Sequence, residues 1–193
     1  MKNKYCKILT ALLVIFWQAI PLSAQQVTVE WNNARQHIDG FGASDAWFSD
    51  DIRDHAYADS LMDLLFDKNK GIGLSLLRQR FESRVFNQDG TREWDHNNFV
   101  ASGWTAQQAI ARGVDKIMIS AWTGSKWMKD NNSGTNGGRL LWEFFDDYAA
   151  SWSEYIERFE NEYGVDIYGI SPQNEPGVKS WESMVWNKLV FIC

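Results

Sequence analysis

The tripeptide Asn174-Glu175-Pro176 is the segment of this sequence whose residue types point most directly to chemistry. A glutamic acid that gives its proton to a departing glycosidic oxygen needs a pKa raised toward neutrality, and the end of a buried strand can provide that environment. The neighbouring asparagine can hydrogen-bond a sugar 2-hydroxyl. Pro176 restricts the residue before it to extended backbone, which we expect to fix the direction of the Glu175 side chain. The tripeptide therefore indicates a general acid/base, with an exposed turn as the alternative.

Polar or aromatic side chains follow four separate apolar segments. They occur in the stretches Ser44-Asp45-Ala46-Trp47, Arg78-Gln79-Arg80, Trp122-Thr123 and Gln173-Asn174-Glu175-Pro176. In a barrel of parallel strands the functional groups gather where the strands end. The four exits together predict a rim that binds a polyhydroxylated ligand. The 11 tryptophans suit stacking on sugar rings, although we expect most of them in the core.

The segments that must position these groups alternate between short apolar strands and longer helices. The strands are predicted over residues 38–43, 74–77, 116–121 and 167–170, and the helices over 60–66, from Thr105 to about Gly113, and over 144–163. Thr105 and Gln108 have the spacing of a capping box at a helix start. This alternation predicts an α/β fold with a parallel sheet. An open doubly wound sheet fits the alternation equally well, and the strand exits favour the (β/α)8 barrel.

The N-terminal residues are typical of an export signal. Three lysines precede a short apolar run, and small residues follow it. We interpret residues 1–24 as a signal peptide cleaved near Ala24, because the apolar run is shorter than the ~20 residues that span a bilayer. The mature protein is then expected in the periplasm or the medium, without a membrane segment. Residues 25–37 contain an alternating segment, Val27 to Trp31, which predicts a half-exposed strand.

Composition excludes several classes of function. The 19 basic and 25 acidic residues give a net charge of -6 without a basic block, which argues against nucleic acid and anionic lipid as partners. The three histidines lack the spacing of metal ligands, so we expect no metal and no cofactor. Only Cys193 remains after removal of the signal peptide, and stability must come from a buried core without an internal disulfide.

Several ordered motifs resemble glycoside hydrolase family 30 over nearly all of the mature length. The matching stretches are Ile38-Asp39-Gly40-Phe41-Gly42-Ala43-Ser44-Asp45-Ala46-Trp47, Gly71-Ile72-Gly73-Leu74-Ser75-Leu76-Leu77-Arg78, Trp127-Met128-Lys129-Asp130-Asn131, Ile170-Ser171-Pro172-Gln173-Asn174-Glu175-Pro176 and Trp181-Glu182-Ser183-Met184-Val185-Trp186. The resemblance implies a retaining O-glycosyl hydrolase on a (β/α)8 barrel, with a polysaccharide as its partner. It also implies that residues 38–193 form about four βα units, the first half of a truncated barrel. The N-terminal strand in residues 25–37 would then belong to the side β-domain of the family.

The resemblance also implies roles for individual residues. Glu175 is expected to be the acid/base with Asn174 as the 2-hydroxyl partner, Arg78 to hold the catalytic carboxylates, and Trp122 to line the sugar subsite beside the scissile bond. Trp47 and Trp127 are expected to bind substrate, with core packing as the alternative for each. Asp45 is expected either at the rim or as an ordinary surface carboxylate. In this family the nucleophile is a glutamate on a later strand, and we expect it to be absent from this chain.

The preferred glycan stays open at this stage. The motifs favour an endo-β-xylanase-like enzyme, and the loops that would distinguish the activities of the family are expected mostly in the missing half of the barrel. Other activities in the same family are glucosylceramidase, β-1,6-galactanase and β-1,6-glucanase. A chain without its nucleophile would be inactive alone, and a non-catalytic carbohydrate-binding remnant is the alternative from a different class.

Overall fold

The computed structural model describes residues 27–186, so the predicted signal peptide, residues 1–24, lies outside the described part of the chain. The chain divides into two units, Met1–Ile38 and Asp39–Cys193. In the first unit no strand is formed over Val27 to Trp31, and the strand of a side β-domain stays a prediction. Residues 27–30 have no regular structure, residues 31 and 32 form a turn, and the apolar side chains of this segment are exposed. A strand needs a hydrogen-bonded partner, and the described residues of this unit provide none.

Four parallel strands form the sheet of the second unit, as the sequence predicts. The strands are β1 (Gly42–Ser44), β2 (Leu76–Arg80), β3 (Lys116–Ser120) and β4 (Ile167–Ser171), and they pair in that order. The register aligns Ser44 with Arg78 and Arg80 with Ser120. Because all four strands run in the same direction, their carboxyl ends share one edge of the sheet, where the polar exits lie.

The helices connect these strands in the order expected for βα units. They are α1 (Ser49–Arg53), α2 (Ala58–Phe66), α3 (Asn97–Ile110) and α4 (Phe145–Tyr163). Short 3-10 turns occur at Ser83–Val85, Lys126–Met128 and Trp142–Phe144. No helix in the described range 27–186 is long and apolar enough to cross a bilayer.

The predicted start of α3 at Thr105 is wrong. The helix begins at Asn97, where the His96 side chain accepts a hydrogen bond from the backbone N–H of Asn98. Thr105 lies inside the helix and is buried. Its hydroxyl lies 2.6 Å from an oxygen of Asp45, so the threonine binds a neighbouring element instead of capping its own. The chain leaves the helix through Gly113, whose φ of 104° suits glycine.

An aromatic face of α4 forms much of the core, as its spacing predicts. Tyr148, Trp152, Tyr155 and Phe159 are buried, and the Trp152 ring stacks on Phe81 with centroids 4.3 Å apart. Apolar residues at i, i+3 and i+4 place one face of a helix against the sheet. The aromatic core therefore holds β2 and α4 together beneath the strand exits.

One glycine allows α3 and α4 to approach closely. A Cβ atom at Gly103 would lie 2.2 Å from the ring of Tyr163, far inside van der Waals contact. Gly103 is buried in the middle of α3, where glycine is otherwise unfavourable in a helix. The close approach of the two helices explains its presence there.

Candidate active site

Asn174 and Glu175 lie directly after β4 and are tied to the neighbouring strands. The backbone N–H of Asn174 donates to the carbonyl of Ala121 at 2.7 Å. The Arg78 guanidinium donates to Asn174 Oδ1 at 2.6 Å and to Ser120 Oγ at 2.8 Å. Asn174 Nδ2 in turn donates to Glu175 Oε2 at 3.2 Å. Arg78, Asn174 and Glu175 thus form a chain of hydrogen bonds that joins the ends of β2, β3 and β4.

The backbone of Glu175 differs from the sequence expectation. Its φ is +46°, which is the left-handed region and not the extended backbone that a following proline favours. A non-glycine residue held in this region carries strain on the order of 1–3 kcal/mol. The Glu175 carbonyl accepts from the N–H of Val178, and the Pro176 carbonyl accepts from that of Trp186. A hydrogen-bonded turn, together with Asn174, therefore sets the direction of the Glu175 side chain.

The side chains of Glu175 and Arg78 differ in their exposure to solvent. Glu175 is exposed among the described residues, whereas Arg78 is partly buried. Burial lowers the pKa of the Arg78 guanidinium, and the negative charge of Glu175 opposes that shift. The two side chains are therefore close enough for their charges to interact.

Two tryptophans form an aromatic wall beside this chain of hydrogen bonds. The rings of Trp47 and Trp122 meet edge to face with centroids 4.7 Å apart. The Arg78 guanidinium lies over the Trp122 ring at 4.6 Å, an arrangement that stabilises a cation against an indole face. Trp122 is buried and Trp47 is half exposed. The sequence brings Trp47, Trp122, Arg78 and Glu175 to one end of the sheet, as predicted from the strand exits.

A cavity of about 580 Å³ opens at this end of the sheet. Its walls combine indole rings with charged and small polar side chains, a composition common in ligand sites. The lining residues are Trp47, Arg80, Trp122, Glu175, Val178, Ser180, Trp181 and Glu182. A cavity with aromatic walls and a carboxyl group can hold a sugar ring and present an acid to it.

A buried ionic group beside the cavity was missed by the sequence reasoning. Arg80 donates to Glu82 at 2.5 Å and to Glu182 at 2.8 Å, and Glu82 also accepts from Arg84. Burial works against ionisation of Glu82, but the hydrogen bond from Arg84 and the charges of Arg80 and Arg84 lower the pKa of this carboxyl. Arg80 follows Arg78 by two residues on β2, so the period of a strand places both on one face. From that spacing, the sequence could have predicted that Arg80 lies near Arg78 at the site.

Two of the residues expected to bind substrate do not line this cavity. Asp45 is buried, where it accepts hydrogen bonds from Thr105 and Gln79, and burial raises its pKa to about 6. It is neither a rim residue nor a surface carboxylate. Trp127 lines a different cavity of about 650 Å³, and its indole N–H donates to the carbonyl of Phe86. Its ring also contacts Phe144.

Within residues 27–186 no three His, Cys, Asp or Glu side chains are grouped so that they could hold a metal ion.

The relatives found by comparison with known proteins are named as glycoside hydrolases. The chain is 30% identical to putative glucosylceramidase 2 of Caenorhabditis elegans over 181 residues, covering 81% of this chain and 34% of the relative. It is 28% identical to glucuronoxylanase XynC of Bacillus subtilis (strain 168), covering 80% of this chain and 34% of that protein. The catalytic domain of GH30 xylanase C from Talaromyces cellulolyticus has a similar structure, with a TM-score of 0.69, 30% identity, and coverage of 79% of this chain and 40% of that one.

The matched segments cover only part of these relatives. The chain spans about a third of the length of the curated proteins it matches. The model of the glycosyl hydrolase family 30 TIM-barrel domain matches residues 38–193, which is most of the sequence and includes every strand described above. The chain therefore belongs to glycosyl hydrolase family 30.

Proposed function

We propose that this chain carries the acid/base side of the active site of a retaining O-glycosyl hydrolase that acts on β-linked polysaccharide. The observation that supports the proposal is the position of Glu175, which lines the 580 Å³ cavity with Trp47 and Trp122. Asn174 links the same carboxyl to Arg78. A sugar ring in this cavity would have an indole face beside it and a carboxyl group within reach of its glycosidic oxygen.

In the proposed reaction the Glu175 carboxyl protonates the departing glycosidic oxygen. A second carboxylate attacks the anomeric carbon, and Glu175 then takes a proton from the water that releases the sugar. In this proposal Asn174 binds the sugar 2-hydroxyl, and Arg78 donates a hydrogen bond to the Asn174 amide oxygen. The retaining geometry places the two carboxyl groups about 5–5.5 Å apart. By resemblance to the family, the nucleophile is a glutamate from a later strand than β4.

A β-xylan is the substrate class we propose first. Two relatives are named as a glucuronoxylanase and a xylanase, at 28% and 30% identity. A glucosylceramide substrate is the alternative within the family, because the relative named as a putative glucosylceramidase is 30% identical. β-1,6-Galactan and β-1,6-glucan are further alternatives. A carbohydrate-binding protein without hydrolysis is the alternative from another class, since the aromatic wall of Trp47 and Trp122 could bind a sugar without any bond cleavage.

We also propose that the protein is exported, with residues 1–24 as its signal peptide. The support is the order of basic, apolar and small residues. N-terminal sequencing of the secreted product should give a start near Gln25. A product that keeps Met1 would contradict export by cleavage.

Calorimetric titration with defined glycans tests the proposed function. The purified chain is titrated with β-1,4-xylohexaose, β-1,6-linked glucan and galactan oligosaccharides, and glucosylceramide in detergent micelles. We expect xylohexaose to bind, and replacement of Trp122 by Ala to abolish that binding. A glucan, galactan or glucosylceramide preference would replace xylan as the substrate class.

The matched control replaces Trp142 by Ala, because Trp142 is an exposed tryptophan that does not line the cavity. Binding should survive this change. Equal loss of binding in both tryptophan variants, or no binding of any of these glycans by the unmodified chain, would contradict the proposal.

A further inference from the structure

Glu182 is a second carboxyl group that lines the cavity, and the proposed reaction does not use it. Its Oε2 atom accepts a hydrogen bond from Arg80 Nη1 at 2.8 Å and a longer one from Trp47 Nε1 at 3.4 Å. The side chain is only 21% exposed. Glu182 therefore connects a buried cation to the more exposed tryptophan of the aromatic wall.

Arg80 holds Glu182 in a fixed position. The Arg80 side chain is 6% exposed and lies between Glu182 and Glu82, which is 3% exposed. Burial raises the pKa of the Glu182 carboxyl, and the positive charge of Arg80 opposes this shift. Hydrogen bonds to charged partners are stronger and shorter than neutral ones. The same carboxylate oxygen thus binds Arg80 of β2 and contacts Trp47, which follows β1.

The two oxygens of Glu182 have different surroundings. Both hydrogen bonds use Oε2. Within the described part of the chain, Oε1 accepts no hydrogen bond from any side chain or backbone group. A carboxylate oxygen with free lone pairs beside an indole ring is a strong acceptor for a sugar hydroxyl.

We propose that Glu182 is a further sugar-binding residue of this cavity. One of its oxygens fixes the Trp47 ring against Trp122, and the other accepts a hydroxyl from the sugar unit that lies on Trp47. The inference rests on the proposed function, because it assigns a neutral sugar unit as the ligand. With Glu182 and Glu175 both lining the cavity, a sugar bearing a carboxylate is disfavoured at this position, since like charges repel.

Circular dichroism and calorimetry of two Glu182 variants test this inference. Trp47 and Trp122 are the only tryptophan pair in ring contact within residues 27–186, with an interplanar angle of 63°. Two indoles in such contact give an exciton couplet in the far-ultraviolet spectrum, which reports their relative orientation without any ligand. Replacing Trp47 by Phe identifies the couplet by removing it.

We expect Glu182→Ala to reduce the couplet and to raise the Kd for β-1,4-xylohexaose about 10- to 100-fold, the effect of losing a hydrogen bond to a charged group. Glu182→Gln keeps an acceptor for Trp47 Nε1, so the couplet should survive while the Kd rises by a smaller factor. The matched control is Glu157→Gln, an exposed position on α4, which should change neither quantity.

The outcomes separate this inference from the proposed function. If the unmodified chain binds no xylohexaose, the proposed function fails and this inference fails with it. If the unmodified chain binds and both Glu182 variants bind equally well, the inference alone is overturned. Should Glu182→Ala not fold, an unchanged Kd in Glu182→Gln overturns the inference by itself.

Discussion

Replacement of Asp45 by Asn should stabilise the protein at neutral pH. Asp45 is 5% exposed, and burial raises its pKa from 3.8 to about 6 although Thr105 and Gln79 donate hydrogen bonds to it. Its Oδ1 atom and the Oε1 atom of Gln79 are both buried and without a hydrogen-bond partner among the described residues. Asparagine has nearly the same shape, stays neutral, and adds a donor at this place.

The magnitude follows from the pKa difference between the folded and unfolded states. Raising the pKa of Asp45 from 3.8 to about 6 corresponds to about 3 kcal/mol. Since the folded state keeps the proton to a higher pH than the unfolded state, the unfolded chain binds fewer protons between pH 3.8 and about 6. Stability from this group is therefore highest below pH 3.8, falls as the pH rises through this window, and stays reduced above it.

Urea unfolding from pH 4 to pH 8 measures this effect. We expect Asp45→Asn to exceed the unmodified chain by about 1–3 kcal/mol at pH 8, the full shift less any weakened hydrogen bonds. The difference should shrink toward zero near pH 4. Asp166→Asn, at an exposed position, is the matched control and should give a pH profile parallel to that of the unmodified chain. A parallel profile for Asp45→Asn would refute the reasoning.

Three further predictions follow from other contacts. Phe81→Ala should destabilise the fold by about 3–5 kcal/mol in urea unfolding, because Phe81 is buried against Trp152; a change under 1 kcal/mol would contradict this core assignment. Arg78→Met should weaken xylohexaose binding at least tenfold in calorimetry, because Asn174 loses its charged donor, and unchanged affinity would separate Arg78 from the site. The 193-residue chain alone should release no reducing sugar from β-1,4-xylan, whereas steady release would show that a nucleophile is present within it.

Local patterns in the sequence predicted the elements well where the signal and its cause lie in one segment. The aromatic residues of α4 recur at helical spacing, and the observed helix, Phe145–Tyr163, begins one residue from the expected start. Thr105 shows the limit of such patterns. The spacing of a capping box is the same inside a helix as at its start, and only Asp45, 60 residues away, reveals what the threonine binds.

The features of the site that the sequence did not predict depend on distant partners. Glu182 contacts Arg80 across 102 residues and Trp47 across 135, so no local motif records these contacts. The left-handed backbone of Glu175 opposes the preference that Pro176 imposes. This backbone conformation depends on the hydrogen bonds of the turn that follows Glu175. The preference of a residue that precedes proline takes no account of such bonds. Strain of this kind concentrates at functional sites.

The crystal structure of the chain with β-1,4-xylohexaose tests the central claim most directly. We predict a sugar ring beside Trp122, with a glycosidic oxygen within hydrogen-bonding distance, about 2.6–3.2 Å, of the Glu175 carboxyl. Oligosaccharide bound only in the separate cavity beside Trp127, with the Glu175 carboxyl facing solvent, would contradict the claim.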